Sequence, residues 1–132
     1  MTLKIVAGVT AGHLVAEAWF GEGCYITEWM NNDKNADLSV ARARVPCGTT
    51  TRWHQLDGVV ERYVILSGLG RVEIGNLAPM AVQPGDCVTI PAATPQRISA
   101  VGNDELVFLA ICSPRFTPDA YAECLEPDSN PG

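Results

Sequence analysis

Short runs of β-branched and aromatic residues, separated by polar or glycine-containing turns, recur along most of the chain. The clearest run, residues 59–66 (VVERYVIL), consists largely of residue types that favour a pleated strand. Similar signals predict further strands at 24–30, 38–45, 71–74, 80–82, 86–90, 96–100 and 105–112. Many short strands with turn residues between them indicate an all-β sandwich or barrel.

Helical signals are few and lie towards the two ends of the chain. Residues 10–20 could form a short helix with Thr10 as its N-cap, and residues 117–125 are the stronger candidate because Pro118 suits a first helical position. We therefore expect a barrel core at about 24–114, after an N-terminal segment (1–23) and before a C-terminal helix and tail (115–132). The end of that tail, rich in Pro and Gly, is expected to fray.

The 132 residues predict a single domain spanning 1–132, and the hydrophobic fraction of 47% with 18% charged residues is typical of a globular protein. Fifteen acidic residues against nine basic ones give a formal net charge of -6, which disfavours binding to nucleic acid or to an anionic membrane surface. No signal-peptide pattern and no apolar run of membrane-spanning length is visible, so we expect a cytoplasmic protein.

The five cysteines are odd in number, widely spread and without a CxxC pair, which argues against a disulfide framework and against a zinc ribbon. We expect ordinary thiols in a reducing compartment, and no Cys–His pairing in the sequence favours a catalytic thiol. They are Cys24, Cys47, Cys87, Cys112 and Cys124.

The candidate chemistry centres on His54, one of two histidines, and on Glu61, seven residues later. The Asp57-Gly58 turn between them could let two strands present both side chains to one cavity. Alternate residues of a strand share a face, so Tyr63 should point the same way as Glu61, as a pocket hydroxyl or as core packing. Arg52 has the parity of His54 and is the candidate for binding a substrate carboxylate, unless it is solvated at the barrel mouth.

Two stretches resemble the cupin motifs. Residues 48–68 (GTTTRWHQLDGVVERYVILSG) resemble the first motif. The motif positions in register are Gly48, His54, Glu61 and Gly68. Residues 85–100 (GDCVTIPAATPQRISA) resemble the second motif. The chain is thus similar to small single-domain cupins of type 2, described as mannose-6-phosphate isomerase-related. The resemblance implies a double-stranded β-helix (jelly-roll) barrel, commonly a homodimer.

The resemblance also implies a metal such as Fe, Mn, Ni, Zn or Cu, held by three His and one Glu. Here Leu56 stands at the second His position and Gln96 at the third. His54 and Glu61 with Gln96 as a substitute could still hold one divalent ion (Zn, Ni, Mn or Fe), but less tightly, since a neutral carbonyl is a poorer donor than imidazole. The alternative is a metal-free pocket in which these three residues hydrogen-bond to each other.

These residues lead to a small-molecule enzyme as the first hypothesis: an isomerase, lyase or oxygenase with Glu61, His54 and Tyr63 as candidate catalytic residues. Burial should raise the pKa of Glu61 unless a cationic His54 pairs with it, so a metal-free acid–base cyclase or epimerase is also open. The competing class is a non-catalytic module that binds a small ligand or sugar. Leu56 favours that class, whereas the His54–Glu61 pair favours catalysis.

Overall fold

Two antiparallel sheets face each other in the computed structural model, which describes residues 4–127. The strands in this range are β1 (Ala18–Phe20), β2 (Cys24–Met30), β3 (Ser39–Val45), β4 (His54–Leu56), β5 (Val60–Ser67), β6 (Gly70–Ile74), β7 (Met80–Val82), β8 (Cys87–Ile90), β9 (Gln96–Ala100), β10 (Leu106–Ser113) and β11 (Tyr121–Glu123). One sheet has the order β1-β2-β3-β10-β5-β8 and the other β11-β4-β9-β6-β7. The predicted all-β barrel is therefore confirmed.

Every strand predicted from the sequence is present. Strands β2, β7 and β9 begin and end at the predicted residues, and the other five predicted strands (β3, β5, β6, β8 and β10) differ by one residue at one or both ends. Strands β1, β4 and β11 were not among the predicted strands. Strand β5 alternates as its sequence requires: Glu61, Tyr63 and Ile65 are buried, whereas Arg62 between them is exposed. The predicted shared face of Glu61 and Tyr63 is thus confirmed.

The two predicted helices are wrong. Residues 10–20 contain a single 3-10 turn at Gly12–Leu14 and then strand β1, and residues 117–125 contain a 3-10 turn at Pro118–Ala120 and then strand β11. Strand β11 pairs with the edge of β4. The backbone N–H and C=O groups of β11 therefore form hydrogen bonds within a sheet and not within a helix. Of the predicted tail, residues 128–132 lie outside the described residues.

The main apolar core lies between the two sheets. Its most deeply buried branched aliphatic side chains are Val45, Ile65, Val72, Ile90, Ile98 and Leu106. A second, smaller cluster of Leu56, Val59, Cys112 and Ala120 lies at one end of the barrel, with Phe116 and Tyr121 packed against it. The segment that carries β11 therefore covers one end of the barrel, and the polar side chains of the candidate site lie near this end.

Gly68 explains one position of the first motif-like stretch. Its φ is +82°, and a Cβ at this position would lie 2.2 Å from the carbonyl oxygen of Glu105. Only glycine allows both this left-handed backbone and so close a contact between the β5–β6 turn and the start of β10. The motif glycine thus has a structural role at the far side of the barrel from β11.

All five thiols lie in the described residues, and none of them forms a disulfide there. Cys24 and Cys112 are buried, and both lie beside carboxyl groups of the candidate site. Nowhere in residues 4–127 is a helix both long and apolar enough to cross a membrane.

Candidate functional site

A cavity of about 100 Å³ lies inside the barrel beneath β11. Most of its wall is apolar, formed by Phe20, Ile26, Ala41, Leu56, Ala110, Cys112, Phe116 and Tyr121. Its polar lining consists of Glu22, Glu28, Ser39, His54 and Glu61. An apolar cavity with a few converging polar groups is the usual form of a small-molecule site.

Glu61 is the deepest charged candidate, with only 9% of its surface exposed. The Gln96 side-chain amide donates a hydrogen bond to Glu61 Oε1 at 2.7 Å, and the Tyr63 hydroxyl donates to Gln96 Oε1 at 2.5 Å while lying 3.3 Å from Glu61 Oε1. The Cys112 thiol lies 3.6 Å from Glu61 Oε2. Burial raises the pKa of Glu61, and the hydrogen bonds from Gln96, Cys112 and Tyr63 act in the opposite direction.

Tyr63 and Gln96 do not line the cavity, although the sequence predicted both as site residues. They lie behind Glu61 and form with it a chain of buried hydrogen bonds. A carboxylate group without such partners can rotate about its Cγ–Cδ bond. These hydrogen bonds therefore fix the direction in which the Glu61 carboxylate faces the cavity.

His54 is buried, and its ring is stacked on that of Tyr121 with centroids 5.2 Å apart. Its Nδ1 lies 2.8 Å from the backbone carbonyl oxygen of Arg52. A carbonyl only accepts, so Nδ1 carries the hydrogen, and in a neutral ring Nε2 is left as an acceptor. Burial lowers the pKa of His54, which favours this neutral form, against a smaller opposite effect of the Arg52 hydrogen bond.

Glu22 faces His54, and sequence reasoning missed it. Its Oε2 lies 3.2 Å from His54 Nε2, its Oε1 accepts from the Cys24 thiol at 3.1 Å, and its side chain is 12% exposed. Burial raises the pKa of Glu22 to about 7; the Cys24 hydrogen bond lowers it and the charge of Glu61 raises it further. Glu22 belongs to neither motif-like stretch, and the one local signal is its position between two glycines in the β1–β2 turn.

Arg52 lies at the mouth of the site. Its side chain is 67% exposed and pairs with Glu123 at 2.9 Å. It lines an outer recess of about 240 Å³ that shares Phe20, Glu22, Phe116 and Tyr121 with the cavity. The predicted contact of Arg52 with a substrate carboxylate would therefore be made in this recess and would require the ion pair with Glu123 to open.

The donor set does not fit a transition-metal ion. No group of three or more His, Cys, Asp or Glu side chains suited to a metal occurs among residues 4–127. The carbonyl oxygen of Gln96 accepts from Tyr63 and its amide nitrogen faces Glu61, while Leu56 supplies no donor. His54 Nε2 faces Glu22 and not Glu61, so the expected direct contact of His54 with Glu61 is replaced by two separate pairs.

Known proteins resemble this chain in sequence and in fold. A sequence model of the cupin domain (Cupin_2) matches residues 41–112. An uncharacterized protein of Methanocaldococcus jannaschii, MJ1618, is 33% identical over 98 residues, which cover 73% of this chain and 78% of that protein.

Two solved structures illustrate the similarity in fold. KdgF from Halomonas sp. superposes with a TM-score of 0.71 at 20% identity, over 86% of this chain and 98% of that chain. The nucleoside dehydratase Pac13, from Streptomyces, superposes with a TM-score of 0.74 at 14% identity, over 94% of this chain and 96% of that chain. At these identities the similarity concerns the fold alone.

Proposed function

Because this chain belongs to the cupin family, we propose that it is an enzyme that acts on a small molecule by metal-independent acid–base chemistry, as an isomerase or a lyase. One observation carries the proposal: the buried Glu61 carboxyl group is held from behind by Gln96 and Tyr63 and faces an apolar cavity that also contains His54. Burial of a carboxyl group opposes folding. A cavity that only binds a ligand does not require a carboxyl group that is buried and oriented in this way.

Each candidate residue receives a role in this proposal. Glu61 takes a proton from carbon, and a carboxylate whose pKa is raised by burial is a stronger base for this step than an ordinary one. His54 is an acid–base partner, whereas Tyr63 and Gln96 position Glu61. Arg52 binds an anionic group of the substrate in the outer recess.

The chemistry needs no oxidant. Glu61 takes a proton from the carbon next to a carbonyl group, and the electron pair of the C–H bond moves towards the carbonyl oxygen to give an enolate. Return of a proton to another position gives an isomer, and loss of a β-hydroxyl group as water gives an elimination product. An oxygenase would need a redox-active centre that the donor set does not fit, so this branch of the expectation is not carried further.

One of the similar structures, Pac13, supports this class of reaction. The name of Pac13 describes it as a nucleoside dehydratase, and a dehydratase performs an elimination of water. The same barrel can thus hold a lyase in a chain of nearly the same extent.

The test is the exchange of carbon-bound hydrogen in heavy water, followed by proton NMR on small 2-oxo acids and 3-hydroxy acids. We expect chelator-treated protein to accelerate exchange in at least one compound, and Glu61→Gln to lower that rate by about 10²-fold or more. Glu105→Gln is the matched control, since Glu105 pairs with Arg44 and lines neither the cavity nor the recess, and its rate should equal that of the wild type.

Two results would contradict the proposal. Exchange that disappears on chelation and returns with added metal would assign the chemistry to a metal centre. Binding of these compounds without any exchange would favour the competing function, a non-catalytic small-ligand module, for which the largely apolar wall with Leu56 is the supporting observation.

The expected homodimer stays a proposal that the sheet edges support. In the described residues β1 and β8 are the edge strands of one sheet, and β7 and β11 of the other. Open edges are often covered by a second chain. Light scattering on the purified protein should give the mass of two chains, and a mass of one chain would contradict this expectation.

A further inference from the structure

Glu22 lies outside both motif-like stretches, yet its carboxyl group reaches the centre of the site. It lines the inner cavity and also the outer recess, whereas Glu61 lines only the inner cavity. The β1–β2 turn therefore supplies a second carboxyl group, and this one is closer to solvent.

The backbone of Arg52 fixes both Glu22 and His54. Its amide donates to the backbone carbonyl oxygen of Glu22 at 2.7 Å, and its own carbonyl oxygen accepts from His54 Nδ1 at 2.8 Å. One residue of the chain thus sets the distance between the two side chains. The contact of 3.2 Å between Glu22 Oε2 and His54 Nε2 is a consequence of this double attachment.

The positions of the hydrogens on His54 and Glu22 decide whether this contact is attractive. The hydrogen of a neutral His54 ring is on Nδ1, so Nε2 offers only a lone pair. An ionised carboxylate also offers only lone pairs, and two acceptors repel each other at hydrogen-bonding distance. The contact is therefore attractive only when one further proton lies between Glu22 and His54.

We propose that Glu22 is a second catalytic residue, an acid that shares one proton with His54 and delivers it to the departing oxygen of the substrate. This inference rests on the proposed function. Glu61 takes the proton from the α-carbon, the C–H electron pair forms the new C=C bond, and the C–O bond breaks with its electrons on oxygen. The proton from Glu22 completes a molecule of water, and the recess supplies the next proton from solvent.

The arrangement points to a class of substrate. The base lies deep in a cavity of about 100 Å³, and the acid lies between this cavity and the recess. A β-hydroxy carbonyl compound of a few carbons fits this order, with its α-carbon at Glu61 and its hydroxyl group at Glu22. Such a molecule could direct a carboxylate towards Arg52 at the mouth.

Nitrogen NMR of the histidine rings tests the shared proton independently of activity. The chain has only His13 and His54, so the ring signals can be assigned with a single His13→Gln variant. We expect a protonated Nδ1 in His54 at neutral pH. Glu22→Gln should preserve this state, because the amide of Gln can still donate to Nε2. A His54 ring with a bare Nδ1 and a protonated Nε2 would overturn the inference.

The kinetic test separates the two carboxyl groups. With a 3-hydroxy acid that the wild type dehydrates, Glu22→Gln should lower the rate of water loss by about 10²-fold, while α-hydrogen exchange continues. A merely structural role of Glu22 would not divide the two rates, since Gln keeps the hydrogen bond. Water loss at the wild-type rate in Glu22→Gln, or equal loss of both rates, would refute the role of Glu22.

Failure of the proposed function gives a different result. In that case the wild type itself would show no α-hydrogen exchange, whatever the state of His54. The inference about Glu22 fails when the wild type performs exchange and dehydration but either the Glu22→Gln rates or the ring nitrogens do not behave as stated. Glu105→Gln again serves as the control, since Glu105 pairs with Arg44 and lines neither the cavity nor the recess.

Discussion

Replacement of Glu22 by Gln should stabilise the fold at alkaline pH. Burial raises the pKa of Glu22 to about 7 from its ordinary value of 4.5. Between these values the folded protein retains a proton that the unfolded chain releases. The stability contributed by protonated Glu22 is thus fully present below about pH 4.5 and is lost as the pH rises through about 7. Gln cannot ionise, so the variant does not suffer this loss.

The size of the effect follows from the two pKa values. At about 1.4 kcal/mol for each pH unit, the difference between 4.5 and about 7 corresponds to about 3.5 kcal/mol at high pH. Between about pH 5 and about pH 8.5, the free energy of unfolding of Glu22→Gln relative to the wild type should therefore rise by about 2 to 3 kcal/mol. Glu61, His54 and Cys24 face Glu22 and are present in both proteins, so most of their own effects cancel.

Urea unfolding followed by circular dichroism at a series of pH values measures this difference. The control is Glu123→Gln, since Glu123 is 56% exposed and its ion pair with Arg52 should contribute less than about 1 kcal/mol. Its difference from the wild type should not grow with pH. Parallel curves for Glu22→Gln and the wild type across this range would refute the account of a buried, protonated Glu22.

Three further predictions concern the barrel and its donor set. Gly68→Ala should cost about 3 kcal/mol or more, because its Cβ would overlap the carbonyl oxygen of Glu105, whereas Gly48→Ala has free space and should cost only the left-handed strain of about 1 kcal/mol. Ile65→Ala should cost about 2 to 5 kcal/mol in urea unfolding, because Ile65 is 1% exposed in the main core. The double variant Leu56→His/Gln96→His should bind Ni or Zn stoichiometrically in calorimetry and more tightly than the wild type.

The outcomes that would contradict these three predictions are equally specific. Equal losses in Gly68→Ala and Gly48→Ala would contradict the overlap, and a loss of under about 1 kcal/mol in Ile65→Ala would contradict its close packing. Elemental analysis of untagged protein checks the donor set. Near-stoichiometric metal in the wild type that disappears in His54→Ala would contradict the poor fit to a metal ion.

Local patterns predicted the strands because the signals for a strand are local. Alternation along β5 alone directed Glu61 and Tyr63 inward, and the burial of both agrees. The helix predicted at 117–125 was wrong because its structure depends on a distant strand. Its sequence suits a helix, but the free edge of β4 offers Tyr121 and Glu123 backbone partners that no local pattern reveals.

The sequence by itself determined the barrel, eight of the eleven strands in the described residues and the inward direction of Glu61, because a period of two residues fixes which side chains share a face. Only the tertiary structure decided what those side chains meet. It paired Glu61 with Gln96 across two sheets, and it brought Glu22 from a distant turn to His54 through the backbone of Arg52. Such contacts depend on how separate strands come together, and no spacing within one strand encodes them.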